Sequence, residues 1–73
     1  MKEKLMIQTL REERGITQQE LAEKLKINRS LMSHIETGKV LPSFDMLLAI
    51  SRILECLVTD LYKKEDLENI KNE

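Results

Sequence analysis

Aromatic residues and the residues that make tight turns are scarce in this sequence. Its 73 residues include no Trp, one Tyr and one Phe, so the core must be aliphatic. Two Gly and one Pro leave little turn material for a β-sheet, which favours a bundle of short helices. A core of this size is marginal unless the helices pack efficiently or two copies associate. We therefore expect one all-α domain, with a homodimer as the simplest assembly.

Long apolar runs are also missing, and cysteine is nearly so. The sequence has no run of about 18 apolar residues, and its N-terminal MKEKLM lacks the apolar stretch of a signal peptide. The single Cys56 lies in the run ILECLV and by itself forms neither an internal disulfide nor a metal site. It is either a reactive thiol or, as we favour, a small buried hydrophobe in a reducing cytoplasm. We expect a soluble cytoplasmic protein without a membrane segment.

Neither sign of charge dominates, because the formal net charge is −1. A nearly neutral protein is at first a poor candidate for binding nucleic acid. The charge is unevenly spread, however, with a balance of +2 over residues 1–40 and of −3 over residues 41–73. This asymmetry allows a local basic face on a weakly acidic protein. Binding to a polyanion would then be modest and sensitive to salt.

Two short helical patterns stand almost end to end between residues 17 and 36. The run TQQE is a capping box, in which the threonine hydroxyl and the glutamate carboxylate satisfy free amides at a helix start, so a helix begins at Gln18. This helix carries a bare Ala22 on its inward stripe and ends close to Asn28, a favourable N-cap for the next helix. Helices this close must cross steeply, and Ala22 supplies the small side chain that a crossing needs.

Turn and cap residues place the remaining elements. A first helix is expected over about residues 2–14, with Gly15 as its stop, and a third over residues 29 to 36 or 37, with Gly38 as a left-handed C-cap. Ser43 caps a fourth helix, and LVTDLY suggests a short fifth helix capped by Thr59. The sequence thus predicts one domain over residues 1–73, with its core in about 2–63 and a charged tail in 64–73.

The third helix has one apolar and one polar side. At about 100° per residue, Met32 and Ile35 point inward, with Glu36 at the edge of the inward face. An ordinary solvated face would look similar, but the capped helix, the alanine at the crossing and the turn of about three residues together indicate a helix-turn-helix unit. Leu31, at the margin, suits either a thymine methyl or the edge of the core. The outward side holds Arg29, Ser30, Ser33, His34 and Thr37.

The runs TQQELAEKLKINRSLMSHIETGK and LPSFDMLLAISRIL resemble the Cro and lambda-repressor type of helix-turn-helix domain, also called XRE-like, over about residues 7–61. The resemblance implies a five-helix, all-α, lambda-repressor-like fold that binds double-stranded DNA. Three positions depart from the family pattern: Lys26 replaces a usual glycine, Glu55 replaces a usual glycine or asparagine, and Leu57 replaces a usual serine cap. If Lys26 keeps the left-handed conformation of the family, its strain is roughly 1 kcal/mol.

The same resemblance implies which residues would act at the DNA. It implies a partly buried ion pair between Arg11 and Glu36 that holds the recognition helix in register. Base edges would be read from the positions of Arg29, Ser30, Ser33 and His34. Contacts to the DNA backbone would come from Gln18, Asn28, Thr37 and Lys39.

One recognition helix reads too few base pairs for useful specificity, so we expect two copies on half-sites about one helical turn apart. The surface after helix four offers apolar residues that would form the dimer interface, or would merely close the monomer core: Leu57, Val58, Leu61 and Tyr62.

The leading hypothesis is a prokaryotic transcriptional regulator, most simply a repressor, although activation suits the same fold. The alternative is an antitoxin-like module that also binds a protein. We expect no enzyme activity, metal, cofactor or small-molecule ligand, since no nucleophile–base pair or ligand cluster is evident.

Overall fold

The computed structural model describes residues 5–63, and these residues form helices connected by short turns. Four α-helices are followed by one short 3-10 helix, and no strand occurs within the described range. This confirms the all-α fold expected from the composition. None of the described helices is long and apolar enough to cross a membrane. In chain order the elements are α1 (Ile7–Glu13), α2 (Gln18–Leu25), α3 (Arg29–Glu36), α4 (Phe44–Leu54) and the 3-10 helix (Val58–Leu61).

The start of α2 is fixed by the capping box that the sequence predicts. The Glu20 amide donates to Thr17 Oγ1 over 3.0 Å, and the Thr17 amide donates to Glu20 Oε1 over 2.8 Å. Both bonds satisfy amides that a helix start otherwise leaves without a partner. The backbone and hydroxyl hydrogen bonds of Thr17 also lower the pKa of the Glu20 carboxyl below its ordinary value.

This lowered pKa predicts a pH dependence of stability. Because the folded-state pKa lies below the unfolded one, the contribution of Glu20 is fully present above the ordinary value of 4.5 and is lost as the pH falls through the folded pKa. Urea unfolding should therefore give a higher free energy of unfolding for the wild type than for Glu20→Gln at about pH 6. This advantage of the wild type should disappear at about pH 2. An advantage that stays constant across this range would contradict the assignment.

The turn between α2 and α3 is built on a residue in the left-handed conformation. Lys26 has φ 61° and ψ 39°, as expected if it adopts the conformation of the family glycine, and the Ile27 amide closes the turn onto the Ala22 carbonyl over 3.0 Å. Asn28 then caps α3, since its Oδ1 accepts from the Leu31 amide over 2.7 Å. Ala22 itself is completely buried, and α2 packs against α3, α4 and α1.

Replacing Lys26 with glycine should stabilise the protein. A side chain at positive φ is strained, and the greater freedom that glycine adds to the unfolded chain offsets only part of that relief, so we expect a gain of about 0.5–1 kcal/mol. Thermal unfolding should move up by several degrees. Lys24→Gly is a matched control in the helical part of α2, and there the same change should lower stability by about 1 kcal/mol. Equal effects of the two substitutions would contradict this explanation.

The core is aliphatic, as the shortage of aromatic residues predicts. α4 lies at its centre and packs against α1, α2 and the 3-10 helix. Phe44 is exposed, at 65%, and Tyr62 is half-buried beside the core. The buried apolar side chains come from every helix and are Ile7, Leu21, Ala22, Met32, Ile35, Leu47, Ile50, Leu54 and Leu61.

Two predicted elements differ from the structure. The first helix begins at Ile7 instead of residue 2, because the Met6 amide donates to the Leu61 carbonyl over 2.7 Å and so ties the chain to the 3-10 helix. The fifth element is a single 3-10 turn, closed by a bond from the Asp60 amide to the Leu57 carbonyl, three residues back. Thr59 lies inside this turn and does not cap it. The predicted tail, 64–73, and residues 1–4 lie outside the described residues.

Candidate nucleic-acid interface

The outward side of α3 presents a continuous polar face. Met32 and Ile35 are buried on the opposite side, and Glu36, placed at the edge by the sequence, is also buried. At about 100° per residue, the outward side chains fall within an arc of about 140°. Four are exposed and Ser33 is half-buried, so all five predicted positions reach the surface: Arg29, Ser30, Ser33, His34 and Thr37.

Two side chains at the ends of this face are already engaged in hydrogen bonds. Asn28 Oδ1 caps the helix, which leaves its amide N–H groups as the available donors. The Thr37 hydroxyl donates to the Ser33 carbonyl over 3.0 Å. A phosphate accepts hydrogen bonds but donates none, so this hydroxyl would have to rotate away from Ser33 to bind one. Lys39 is exposed just beyond α3, and its flexible ammonium is the more available group for a phosphate.

A buried ion pair lies directly behind the polar face. Arg11 Nε donates to Glu36 Oε2 over 2.7 Å, and Arg11 Nη2 donates to Oε1 over 3.2 Å. Glu36 is 1% exposed and Arg11 is 7% exposed. A third bond joins Arg11 Nη1 to the Ile16 carbonyl over 2.8 Å, so one guanidinium connects α1, the following turn and α3. The hydrogen bond to Glu36 is the main cause that raises the pKa of Arg11.

This ion pair continues outward to the surface through Gln18. Gln18 Nε2 donates to Glu36 Oε1 over 3.0 Å, and Gln18 Oε1 accepts from Arg29 Nε over 3.2 Å. We call the four side chains, Arg11, Glu36, Gln18 and Arg29, the Glu36 relay. Each of the four is a predicted site residue, but no pattern in the sequence indicates that Gln18 contacts both Glu36 and Arg29. These partners are 18 and 11 residues away along the chain, so only the helix crossing brings them together.

A helix-turn-helix family model matches residues 7–61 and so covers every described helix. The chain belongs to the XRE-type helix-turn-helix family. It is 34% identical to an uncharacterized HTH-type transcriptional regulator of Archaeoglobus fulgidus over 62 residues, which are 85% of this chain and 89% of that protein. It is also 34% identical to the HTH-type transcriptional activator BcrR of Enterococcus faecalis over 61 residues, which are 84% of this chain but only 30% of BcrR.

Solved structures of an XRE-type regulator have the same fold. The biofilm master regulator SinR in complex with DNA superposes with a TM-score of 0.68 at 36% sequence identity, over 75% of this chain and 89% of that one. SinR in complex with the protein SinI superposes with a TM-score of 0.72 at 29% identity, over 90% of this chain and 71% of that one. The chain therefore carries the domain of a transcriptional-regulator family.

The residues predicted to face a second copy differ in their exposure to solvent on this XRE-type domain. Leu57 is 69% exposed at the turn after α4, whereas Val58 and Tyr62 are half-buried. Leu61 is completely buried in the protein's own core, so its predicted place in a dimer interface is wrong. Its side chain closes the monomer because it joins the cluster beneath α4.

Three further large apolar side chains are exposed in the described part of the chain, and none of them was selected from the sequence: Val40, Leu41 and Phe44. Leu41 is 79% exposed and Phe44 is 65% exposed, and both lie where the chain passes from α3 to α4. Large apolar side chains grouped on a surface are more typical of a contact with a partner than of a solvated turn.

Cys56, in contrast, is half-buried, and its burial raises the pKa of the thiol, which disfavours the reactive thiolate.

Proposed function

We propose that the protein is a sequence-specific, dimeric DNA-binding repressor that reads the major groove of a pseudo-palindromic operator with α3. The observation that supports this most is the polar outward face of α3, whose five side chains are short or flexible and whose opposite side is anchored in the core. A major groove admits one α-helix, and its base edges pair with such side chains. In a prokaryotic cell such a regulator would act in the cytoplasm.

The proposed contacts divide into base readout and backbone positioning. Arg29 suits a guanine, the two serines suit several bases, and His34 can donate or accept according to its tautomer. Base contacts come from Arg29, Ser30, Ser33 and His34. Gln18 lies at the first turn of α2, where the positive end of the helix dipole also favours a phosphate. Backbone contacts come from Gln18, Asn28, Thr37 and Lys39, with the hydroxyl of Thr37 turning away from Ser33.

We also propose that two copies associate through the exposed turn after α4. A single α3 contacts only a few base pairs, so a dimer on half-sites about one helical turn apart supplies the required specificity. Leu57 is the main apolar contact, with Val58 and Tyr62 at its side.

A substitution at Leu57 tests this dimer. The melting temperature of the wild type should rise with protein concentration, because association stabilises the folded state. Leu57→Asp should remove this dependence and lower operator affinity, since a carboxylate would be buried without a partner at the interface. Leu57 is exposed in the monomer, so the variant should still fold. A wild-type melting temperature independent of concentration would contradict the proposed interface.

Repression is the simplest form of regulation for a DNA-binding domain, because occupying the promoter is enough to block transcription. BcrR, a relative, is named an activator, but this chain spans only 30% of its length. Activation would require a contact with the transcription machinery in addition to the DNA, whereas a repressor needs only to bind its operator.

An antitoxin-like module that binds a partner protein is the second candidate. The exposed Leu41 and Phe44 favour it, because they supply apolar area where the chain passes from α3 to α4. SinR, which shares this fold, has been solved with the protein SinI. Co-purification of a second small protein that is released by Leu41→Ser would support this candidate, whereas an active homodimer without a partner would weaken it.

Selection from a random library of DNA duplexes tests the main proposal. The selection should be run at about physiological salt, where sequence-independent phosphate attraction is weakened enough for base readout to decide binding. A two-fold-symmetric site with half-sites near one turn apart is the expected result. If folded protein enriches no sequence, the proposal is wrong as stated, and the protein-binding candidate takes precedence.

A further inference from the structure

One histidine occurs in the sequence, and it lies on the polar face of α3. His34 is exposed there, in the last turn of the helix. Histidine is the side chain that ordinarily changes its charge between about pH 5 and 8. Burial raises the pKa of the Cys56 thiol further above this range, and the hydrogen bonds of Thr17 lower the pKa of the Glu20 carboxyl further below it. His34 is therefore the side chain through which pH acts on the proposed DNA face.

The ring of His34 is available to a ligand, whereas its backbone is fixed. No side-chain hydrogen bond or ion pair joins the imidazole to another residue in the range 5–63. The backbone carbonyl of His34 accepts from the amides of Lys39 and Val40 over 2.9 Å and 3.1 Å. These bonds hold the end of α3 in place, and both ring nitrogens stay open to solvent protons or to DNA.

The carboxylates on α1, α2 and α3 already have other partners. They are paired as Glu12 with Gln8, Glu13 with Arg14, Glu20 with Thr17, Glu23 with Gln19 and Glu36 with Arg11. The other charged groups between the start of α2 and the first turn of α4 are Lys24, Lys26, Arg29, Lys39 and Asp45. Asp45, the one carboxylate among them, forms no ion pair with His34. A proton on His34 therefore creates a positive charge that is unpaired within the described part of the chain.

The proposed DNA face has few permanent positive charges. Among the residues proposed to contact DNA these are Arg29 and Lys39, so a proton on His34 raises the number per copy from two to three. Each cation that meets a phosphate releases counterions from the DNA, which adds to affinity and to its salt dependence. An imidazolium only donates hydrogen bonds, and phosphate oxygens accept them, as do O6 and N7 of guanine. One proton is thus a large part of the charge that this face presents to DNA.

Resting on the proposed function, we infer that operator binding takes up a proton at His34, which makes operator affinity increase as the pH falls. The protonated protein binds more tightly, so affinity rises as the pH falls through the range in which histidine titrates. It levels off at lower pH, where His34 is protonated before binding as well as after it. A dimer carries two such groups and takes up as many as two protons. The DNA face itself then makes the regulator sensitive to acidity.

Fluorescence anisotropy with the enriched operator duplex, at constant ionic strength, measures this coupling. Between about pH 8 and pH 6 the wild-type dimer should gain about 10-fold in affinity, since each copy adds one charge that faces the phosphates. His34→Gln keeps a donor and an acceptor but has no titratable group, so its affinity should change by less than about 2-fold. A full response to pH in His34→Gln overturns the inference.

The dependence of affinity on salt gives a second readout of the same proton. The slope of log affinity against log salt concentration should be steeper at pH 6 than at pH 8 by up to about 1.8 in the wild-type dimer, which is about 0.9 for each added cation. In His34→Gln the slope should be the same at both pH values. A wild-type slope that does not change with pH shows that no cation is added against the DNA, and it also overturns the inference.

Lys39→Gln is the matched control, because it removes a permanent cation from the same surface. It should weaken binding at both pH values and keep the response to pH, since His34 is intact. His34→Lys carries a permanent charge and should bind without a response to pH. Both positions are exposed, and melting curves at each pH check that the variants are folded.

The outcomes separate this inference from the proposed function. Affinity that falls on acidification would mean that neutral His34 accepts a hydrogen bond from a base amino group, which overturns the inference and leaves the proposed function intact. Sequence-specific binding with no response to pH has the same consequence. If the wild type shows no sequence preference at either pH, the proposed function fails, and this inference fails with it.

Discussion

Glu36→Ala should lower the free energy of unfolding by about 3–5 kcal/mol, because it leaves the charge of Arg11 buried without its partner. The loss should move the melting temperature down by more than about 10 °C, since each kcal/mol is worth roughly 4–8 °C in a domain of this size. It would remove a large share of the stability of a small domain. Thermal and urea unfolding followed by circular dichroism measure the effect.

Two variants define the cause of this loss. Glu23→Ala removes the same side chain from an exposed helical position and should change stability by no more than about 0.5 kcal/mol. Replacing both partners, as Arg11→Met with Glu36→Leu, should recover most of the stability, because no unpaired charge remains. A Glu36→Ala variant that melts with the wild type would eliminate the structural role of the pair.

Ser30→Glu should abolish operator binding while leaving the fold intact. Ser30 is exposed in the first turn of α3, which contains no acidic residue, so a carboxylate there interacts favourably with the helix dipole by about 0.3–1 kcal/mol. The same carboxylate would face the phosphates and base acceptors of the major groove. Like charges placed together cost several kcal/mol at an interface, so we expect operator affinity to fall by about 100-fold or more. Fluorescence anisotropy with labelled operator measures this loss.

Thr9→Glu is the matched control for this effect. Thr9 is an exposed residue in the first turn of α1, a turn that also contains no acidic residue, and the substitution adds the same charge. Its operator affinity should fall by less than about 10-fold, through the general change in net charge. Equal losses in the two variants would show that α3 does not face the DNA, whereas a melting temperature lowered in Ser30→Glu alone would assign its loss to misfolding.

Local signals in the sequence predicted most of the helix boundaries. The capping box beginning at Thr17, the caps at Asn28 and Ser43, and the left-handed Gly38 all occur as predicted. Each depends on hydrogen bonds between residues no more than a few positions apart, so the residue types alone specify it. Lys26 adopts a left-handed conformation without being glycine, which the family pattern suggested but local preference opposes.

Predictions that depended on distant neighbours were less successful. The first helix was predicted too long because its N-terminal residues have helical preferences, whereas Met6 is bonded to Leu61 across the fold. Leu61 was placed on a dimer surface because its apolar neighbours suggested one, but the return of the chain under α4 buries it. No local pattern distinguishes an apolar residue that faces a second copy from one that closes the monomer core.

The sequence by itself determined the number and order of the helices, the inward position of Ala22 and the polar face of α3. Helical periodicity and capping are local properties, which four or five neighbouring residues are enough to specify. Only the tertiary structure decided that Arg11, Glu36, Gln18 and Arg29 form one connected relay. Its bonds join residues 25, 18 and 11 positions apart, and the three-dimensional packing of α1, α2 and α3 is what brings their side chains within reach.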